Sequence, residues 1–255
     1  ANTWTQRLSR QVCELELNPA NSNEVYCLQY NDSTPKRYEF FKSTDKGVTF
    51  SKRSAGWLAD ALNSEAGGRM AVTPVNPNRI YAIILGENKT PYMMRSDDKG
   101  ETWKISATGK TKDVFEMDNW QGFYDLSIAA SHTNADHVMT GTANGYRSTD
   151  GGVTFKIFGG YGGDFPIHPD VQDMHCIGDE TWVSTDGGIY YSTDFFTSTA
   201  NAETRMSGIN GADFWGFDAG WNEDVLVGGR YHNGNTAWHE NYKQKFYRMG
   251  GAENS

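Results

Sequence analysis

Residues 163–175 concentrate side chains that can exchange protons or bind metal ions. Two histidines and three carboxylates this close together could form a metal site or an acid–base site. In a strand, alternate residues share a face, so His168 and Asp170 would lie on one face and Asp173 and His175 on the other. This alternation argues against one compact cluster. The polar side chains of the stretch are Asp164, His168, Asp170, Gln172, Asp173 and His175.

Two interpretations of residues 163–175 stay open. In the first, the stretch is a loop that faces a ligand. In the second, it is a polar turn that leads into an ordinary strand.

A second group of polar and aromatic side chains lies between residues 230 and 241. Sugar sites combine a flat apolar platform, directional hydrogen bonds and a fixed positive charge, and this group contains all three. The alternative is a long connection between strands, with its aromatic rings packed between sheets. The members are Arg230, Tyr231, His232, Asn233, Asn235, Trp238, His239 and Asn241.

A repeated motif, which we call the box, predicts the elements that position these groups. It reads Ser-x-Asp-x-Gly-x-Thr-aromatic in residues 43–50, 96–103 and 148–155, and a partial copy without the Gly occupies residues 192–196. The serines are 53, 52 and 44 residues apart, a spacing typical of one small β-sheet per repeat. Ser and Asp oxygens can accept backbone hydrogen bonds and Gly allows positive φ, so we interpret the boxes as structural turns. Their key residues are Ser43, Asp45, Gly47, Ser96, Asp98, Gly100, Ser148, Asp150, Gly152, Ser192 and Asp194.

The segments around the boxes predict an all-β chain. Turns rich in Pro, Asn or Asp precede apolar strands, and a fifth unit at residues 214–229 has the same layout without a box. The alternating pattern of residues 123–128 predicts a strand. One short helix is predicted around residues 57–64.

The boxes and their spacing resemble those of the Asp-box (BNR-repeat) β-propellers. That superfamily includes sialidases, sortilin-type receptor domains, xyloglucan-cleaving propellers, a photosystem assembly factor and many secreted bacterial proteins. The resemblance spans nearly the whole chain and implies a β-propeller of four-stranded antiparallel blades in a single domain, residues 1–255, with about five blades visible. The approximate blades are residues 5–50, 69–103, 123–155, 165–197 and 213–248.

A second pattern resembles the sortilin-like bacterial group of the same superfamily. There, a His-x-Asp stretch, an Asp-Gly-Gly-hydrophobic strand and a late Gly-Gly-x-x-x-Asn-Gly segment follow one another. The corresponding segments here are residues 168–170, 186–189 and 228–234.

The two ends of the chain predict that these blades belong to a larger ring. Residues 3–5, Thr-Trp-Thr, have the form of the end of a box whose beginning is absent. A sixth unit does not follow the fifth, and this superfamily favours rings of six or more blades. The alternative is that Trp4 begins an ordinary strand.

Composition and charge narrow the range of partners. The net charge is −9 and the Lys and Arg residues form no cluster, so a nucleic-acid partner is not expected. The mean hydropathy is −0.66 and no apolar run approaches 18 residues, so no transmembrane segment is expected.

The three cysteines predict neither a metal site nor a cofactor, because no Cys/His spacing is typical of zinc. Cys13 and Cys27 flank a turn, and either a disulfide between them or two thiols is compatible with that position. Cys176 is predicted to be a small buried residue on a strand.

Two functional classes follow from the resemblance. The first is a secreted or surface-exposed module, without enzymatic activity, that recognises a protein or a glycan and belongs to a larger exported protein. The second is a glycoside hydrolase with paired carboxylates. The Arg-Ile-Pro motif of sialidases is absent, and nothing in the sequence singles out a carboxylate pair. We therefore predict the recognition module, with His168, Asp170, Asp173, His175, Arg230, His232, Asn233 and Trp238 as ligand-binding candidates.

Overall fold

The computed structural model describes residues 3–58, 67–86, 90–109, 122–209, 214–222, 224–230, 234–242 and 246–250. The chain divides into two compact units, residues 1–205 and residues 206–255, and each unit is described by itself. The first unit contains four sheets and the second contains one. In every sheet four antiparallel strands lie in chain order.

The first two sheets lie in residues 11–108. The first sheet consists of β1 (Gln11–Asn18), β2 (Asn21–Asn31), β3 (Arg37–Ser43) and β4 (Ser51–Lys52). The second sheet consists of β5 (Gly68–Val72), β6 (Ile80–Leu85), β7 (Pro91–Ser96) and β8 (Lys104–Thr108).

The third and fourth sheets follow a single turn of helix, α1 (Gly122–Asp125). The third sheet consists of β9 (Ser127–Ala130), β10 (Val138–Gly141), β11 (Gly145–Ser148) and β12 (Lys156–Gly159). The fourth sheet consists of β13 (Val171–Ile177), β14 (Glu180–Thr185), β15 (Gly188–Ser192) and β16 (Ala202–Thr204), with a 3-10 turn at Thr199–Asn201 before β16.

The second unit contains one sheet of the same design. It consists of β17 (Phe214–Ala219), β18 (Val225–Arg230), β19 (Gly234–His239) and β20 (Phe246–Gly250), with a 3-10 turn at Glu240–Tyr242. The prediction of an all-β chain built from four-stranded antiparallel sheets is therefore confirmed.

The hydrophobic core of the first unit lies between neighbouring sheets. One cluster joins the first and second sheets, another the second and third, and another the third and fourth. In the first of these, the ring of Trp103 lies 4.8 Å from that of Phe40 and 4.7 Å from that of Trp57. Burial of one such aromatic side chain contributes about 1.5–3 kcal/mol, so packing between sheets accounts for much of the stability.

Each full box forms a closed hydrogen-bonded turn between the third and fourth strands of its sheet. In the second box, the Ser96 hydroxyl oxygen accepts from the Gly100 N–H at 2.8 Å. One Asp98 oxygen accepts from the Thr102 N–H at 2.8 Å, and the other accepts from the Thr102 hydroxyl at 2.6 Å. Gly100 has φ +80° and lies against the Phe40 ring, where a Cβ would overlap the ring. The first and third boxes repeat these hydrogen bonds.

The fourth box keeps the turn without its glycine. Phe195 and Phe196 adopt φ of 61° and 54°, and the Ser192 hydroxyl accepts from the Phe196 N–H at 3.0 Å. The Asn201 amide donates to the Asp194 carboxylate at 3.0 Å. Phe196 is fully buried, so packing of its ring offsets the unfavourable backbone conformation.

The structure corrects the strand predicted for residues 123–128. Residues Gly122–Asp125 form α1 instead, and β9 begins only at Ser127. Phe123 and Tyr124 are exposed, whereas Asp125 is buried, so the alternating pattern did not mark one buried strand face. Of the helix predicted around residues 57–64, Trp57 and Leu58 are not helical and the other residues lie outside the described part of the chain.

The cysteines are thiols. Cys27 pairs with Leu15 in the register of β1 and β2, and Cys13 lies at a register shift in β1, so the two thiols do not face each other as a cross-strand pair. Cys176 is buried on β13, as predicted.

Within the described residues, no helix is long and apolar enough to cross a membrane.

Candidate functional site

The first strands of the four sheets in the first unit bring distant parts of the chain together. β1 packs beside β5, β5 beside β9, and β9 beside β13. The ends at which these strands begin therefore lie on one side of the unit, which we call the entry end. The box turns follow the third strand of each antiparallel sheet and lie at the opposite end.

Three carboxylates, which we call the carboxylate cluster, lie at the entry end. Asp125 is the last residue of α1, just before β9. Asp170 immediately precedes β13, and Asp186 lies in the turn between β14 and β15. They are close enough that the charges of Asp170 and Asp186 both act on Asp125.

Asp125 has the most perturbed environment of the cluster. Its side chain is fully buried, and neither carboxylate oxygen has a hydrogen-bond partner among the described residues. Burial raises the pKa of Asp125 to about 7, and the charges of Asp170 and Asp186 add to the rise. Asp125 therefore holds a proton at a pH at which most carboxylic acids have lost theirs, as a proton donor must.

Backbone hydrogen bonds and the Gln172 side chain hold Asp170 and Asp186 in position. The Asp170 N–H donates to the Ala143 carbonyl at 3.1 Å, and its own carbonyl accepts from the Asp186 N–H at 3.2 Å. The Gln172 amide donates to Asp186 Oδ1 at 2.8 Å. Asp170 is 4% exposed and has φ +64°, a conformation that few residues other than Gly adopt. Such a backbone conformation is common at functional sites.

His168 packs against the same turn. Its N–H donates to the Tyr190 hydroxyl at 3.0 Å, and its Nδ1 lies 2.9 Å from the Pro169 carbonyl oxygen, to which it donates. The imidazole occupies the space where a Cβ on Gly187 would lie. His168 is thus held beside Asp186 by contacts on both of its sides.

Asp173 and His175 lie on the exposed face of β13, apart from the cluster. Burial raises the pKa of Glu14 on β1, Arg69 on β5 opposes the rise, and Asp173 adds to it. Burial lowers the pKa of His132, and His175 lowers it further. Charges on different first strands therefore act on one another. The polar stretch of residues 163–175 divides into a group at the entry end and a group along β13.

The second predicted group belongs to the second unit. Arg230 is the last residue of β18 and pairs with Gly234, and Trp238 pairs with Leu226 across β18 and β19. Trp238 is half-buried. His232 and Asn233 lie outside the described residues.

Arg69 and Arg79 lie at opposite ends of the first unit. Arg69 lies near the start of β5, at the entry end, whereas Arg79 precedes β6 at the opposite end. Arg79 donates to Asp97 at 2.8 Å and forms an ion pair with Asp136. These contacts assign Arg79 to structural pairing between the second and third sheets.

Sequence reasoning did not select Asp125 or Asp186 as site residues. The detectable signal was modest: Asp125 is a lone carboxylate among aromatic and aliphatic residues, and Asp186 precedes two glycines. Among the described residues, no group of three or more His, Cys, Asp or Glu has an arrangement suited to a metal ion.

Comparison with known proteins identifies relatives of part of the chain. No family model matches it. It is 27% identical over 147 residues to a probable oligoxyloglucan-reducing end-specific xyloglucanase of Neosartorya fischeri, covering 56% of this chain and 17% of that protein. It is 30% identical over 171 residues to Xyloglucanase Xgh74A of Acetivibrio thermocellus, covering 58% of this chain and 20% of that protein.

Among solved structures, an ancestral GH74 enzyme superposes with a TM-score of 0.50 at 17% identity, covering 96% of this chain and 32% of that one. The chain thus spans about a fifth of the length of the curated relatives that it matches. At this level of identity the structural likeness is evidence for the fold alone. Together with its five four-stranded antiparallel sheets, it shows that the chain has the β-propeller fold.

Proposed function

We propose that this chain is part of a glycan-active propeller that hydrolyses glycosidic bonds at the carboxylate cluster. The observation that carries the proposal is the state of Asp125: a buried carboxyl without a hydrogen-bond partner among the described residues, protonated near neutral pH beside two other carboxylates. Glycosidases need this combination of one protonated and one ionised carboxyl group.

Each carboxyl group has a distinct role in this reaction. Asp125 donates its proton to the glycosidic oxygen as the bond to the anomeric carbon breaks. Asp186 is only partly buried and Gln172 orients it, so it is placed to activate a water or to attack the anomeric carbon. Burial raises the pKa of Asp125 and so keeps it protonated, and the charge of Asp170 adds to this effect. His168 supports the turn that carries Asp186.

The relatives support the choice of substrate class. Both curated relatives named above are xyloglucanases, so xyloglucan is the first glycan to test. The four boxes with their common hydrogen bonds support membership of the Asp-box superfamily, and the patterns at residues 168–170 and 186–189 support a sortilin-like variant of it. Secretion, and further blades on the same polypeptide, form part of the same proposal.

Recognition of a glycan without hydrolysis is the second candidate. The observation that favours it is that the Asp125 side chain is 0% exposed, so a substrate would reach it only after α1 shifts. In that case Asp173 and His175, which are exposed on β13, would contact the ligand.

Hydrolysis and binding assays with the purified protein separate the two candidates. We expect release of reducing ends from xyloglucan, reduced by about 10²–10⁴-fold in Asp125→Asn and strongly in Asp186→Asn. Asp150→Asn, in a box at the opposite end, is the control and should keep the activity. Binding of xyloglucan without hydrolysis by the unmodified protein would establish recognition instead, and absence of both would rule out both candidates.

A further inference from the structure

A cavity of about 510 Å³ opens at the entry end, between β1, β5 and α1. Its walls come from five separate elements of the first unit. Cys13 lies on β1, Tyr30 and Tyr38 on β2 and β3, Arg69 on β5, and Phe123 on α1. The volume is within the range of small-molecule sites in proteins, about 300–1,000 Å³.

The backbone around the cavity is arranged for close packing. Gly67 has φ +112°, and a Cβ there would lie 2.5 Å from the Gly122 carbonyl oxygen. A Cβ on Gly68 would lie 2.8 Å from the Tyr38 ring. The two glycines thus let α1 and Tyr38 approach β5 closely.

Aromatic rings form much of the apolar surface. The Tyr30 and Tyr38 rings lie 5.1 Å apart. Phe123 is 68% exposed although it is a large apolar side chain, and it lies two residues before Asp125. Exposed aromatic rings are flat platforms for the apolar face of a sugar. The cavity and the carboxylate cluster are therefore joined by α1.

The charge of the cavity is already balanced. Arg69 is the single charged side chain among the described residues that line it. Its guanidinium donates to the Cys13 carbonyl at 3.3 Å and to the Gly68 carbonyl at 3.2 Å, and lies 3.9 Å from the Glu14 carboxylate. Asp173 adds further negative charge near Glu14. An anionic ligand would find no unpaired cation among the described residues that line the cavity. The carboxylates of Glu14 and Asp173 would also repel it.

We propose that this cavity binds a neutral sugar residue of the glycan chain, stacked on Phe123 and hydrogen-bonded to backbone groups of β1 and β5. The assignment rests on the proposed function. It restricts the proposed substrates to uncharged glycans. Sugars that carry a carboxylate are disfavoured by Glu14 and Asp173.

Cys13 provides a direct readout of occupancy, because it lines the cavity and is only half-buried. Cys27 and Cys176 are buried and serve as internal controls. Burial raises the pKa of Cys13, so alkylation is followed by mass spectrometry at mildly alkaline pH. With neutral xyloglucan oligosaccharides at about ten times their dissociation constant, we expect alkylation of Cys13 to slow about tenfold. Oligogalacturonates of the same length should leave the rate unchanged.

Phe123→Ala tests the platform without disturbing the core, because the side chain is exposed. We expect the concentration of neutral oligosaccharide that gives half-protection to rise about tenfold. Val153→Ala is the matched control, since it removes an exposed apolar side chain from a box at the opposite end. An absence of protection by neutral oligosaccharide, equal protection by oligogalacturonate, or equal effects of the two variants would overturn the assignment.

The same assay separates this assignment from the proposed function. If Asp125→Asn still hydrolyses xyloglucan while Cys13 is protected, the assigned proton donor is wrong and the sugar site stands. If Asp125→Asn abolishes hydrolysis but no oligosaccharide protects Cys13, the hydrolytic cluster stands and the sugar site is wrong.

Discussion

The Gln172 amide donates a 2.8 Å hydrogen bond to Asp186 Oδ1, and so ties the start of β13 to the turn between β14 and β15. Gln172 lies where the register of β13 against β14 shifts, between Val171 and Asp173. This register shift changes the direction of the Gln172 side chain from the one that a regular strand would give it. Such shifts often orient side chains near functional sites.

We therefore expect Gln172→Ala to lower the rate of xyloglucan hydrolysis about tenfold or more, since a hydrogen bond to a charged group is worth about 1.5–3 kcal/mol. The loss should fall on kcat rather than on KM, because in the proposed reaction Gln172 orients a reacting group. Ser184→Ala, on the neighbouring strand, is the control. An unchanged kcat in Gln172→Ala would show that Asp186 needs no such support.

Asp125 makes the free energy of unfolding depend on pH in the direction opposite to that expected for most carboxylates in folded proteins. Its pKa is raised from 3.8 to about 7 in the folded protein by burial and by two neighbouring carboxylates. Between these values the folded state binds more protons than the unfolded state, so the free energy of unfolding falls as the pH rises from about 4 to 7.

Asp125→Asn removes this dependence, because the amide stays neutral at every pH in the window. We expect the variant to be more stable than the unmodified protein by about 1–3 kcal/mol at pH 8, with the difference shrinking toward pH 4. Urea unfolding at pH 4.5, 6 and 8 measures it. An equal difference at all three values would mean that Asp125 does not titrate in this range.

The box carboxylates have the opposite effect on the pH dependence of the free energy of unfolding. The hydrogen bond from the Thr49 hydroxyl, with others from the same turn, lowers the pKa of Asp45 to about 2. The stabilisation that this carboxylate provides is present above about pH 4 and is lost as the pH falls through about 2.

Loss of one box carboxylate should therefore destabilise the protein at neutral pH. Asp98→Ala removes the acceptor of the Thr102 N–H and hydroxyl, and we expect a loss of about 1–3 kcal/mol in the free energy of unfolding. Chemical denaturation at pH 7 measures it, with substitution of the exposed Asp164 by Ala as the control. Equal stabilities of the two variants would contradict a structural role for the box.

A comparison of two glycines distinguishes the cost of an unfavourable backbone conformation from the cost of a steric clash. Gly100 and Gly178 both have positive φ, +80° and +62°, but a Cβ on Gly100 would overlap the Phe40 ring, whereas a Cβ on Gly178 has nothing within 4 Å. Gly178→Ala should cost about 1 kcal/mol, the price of the conformation alone. Gly100→Ala should cost more, by about 1–3 kcal/mol, because the Phe40 ring must move. Thermal unfolding compares them, and equal losses would show that the core between the first two sheets accommodates the methyl group.

The amino-acid sequence by itself determined the repeated sheet. The box carries its own turn within eight residues, and period-two apolar runs beside it are local signals for strands. The number of sheets and the positions of their turns could therefore be predicted from short segments. The fourth box was recognised despite its missing Gly because Ser192 and Asp194 supply the turn's hydrogen bonds themselves.

Only the tertiary structure decided which carboxylates act on one another. Asp125, Asp170 and Asp186 lie 45 and 16 residues apart in the sequence, and no local pattern relates them. They lie at the same end of the first unit because the first strands of neighbouring sheets pack side by side and begin at that end. The replacement of a predicted strand by α1 depends on the same packing, since α1 buries Asp125 and leaves Phe123 exposed. Burial by distant residues, rather than the identity of a neighbour in sequence, gives Asp125 its chemistry.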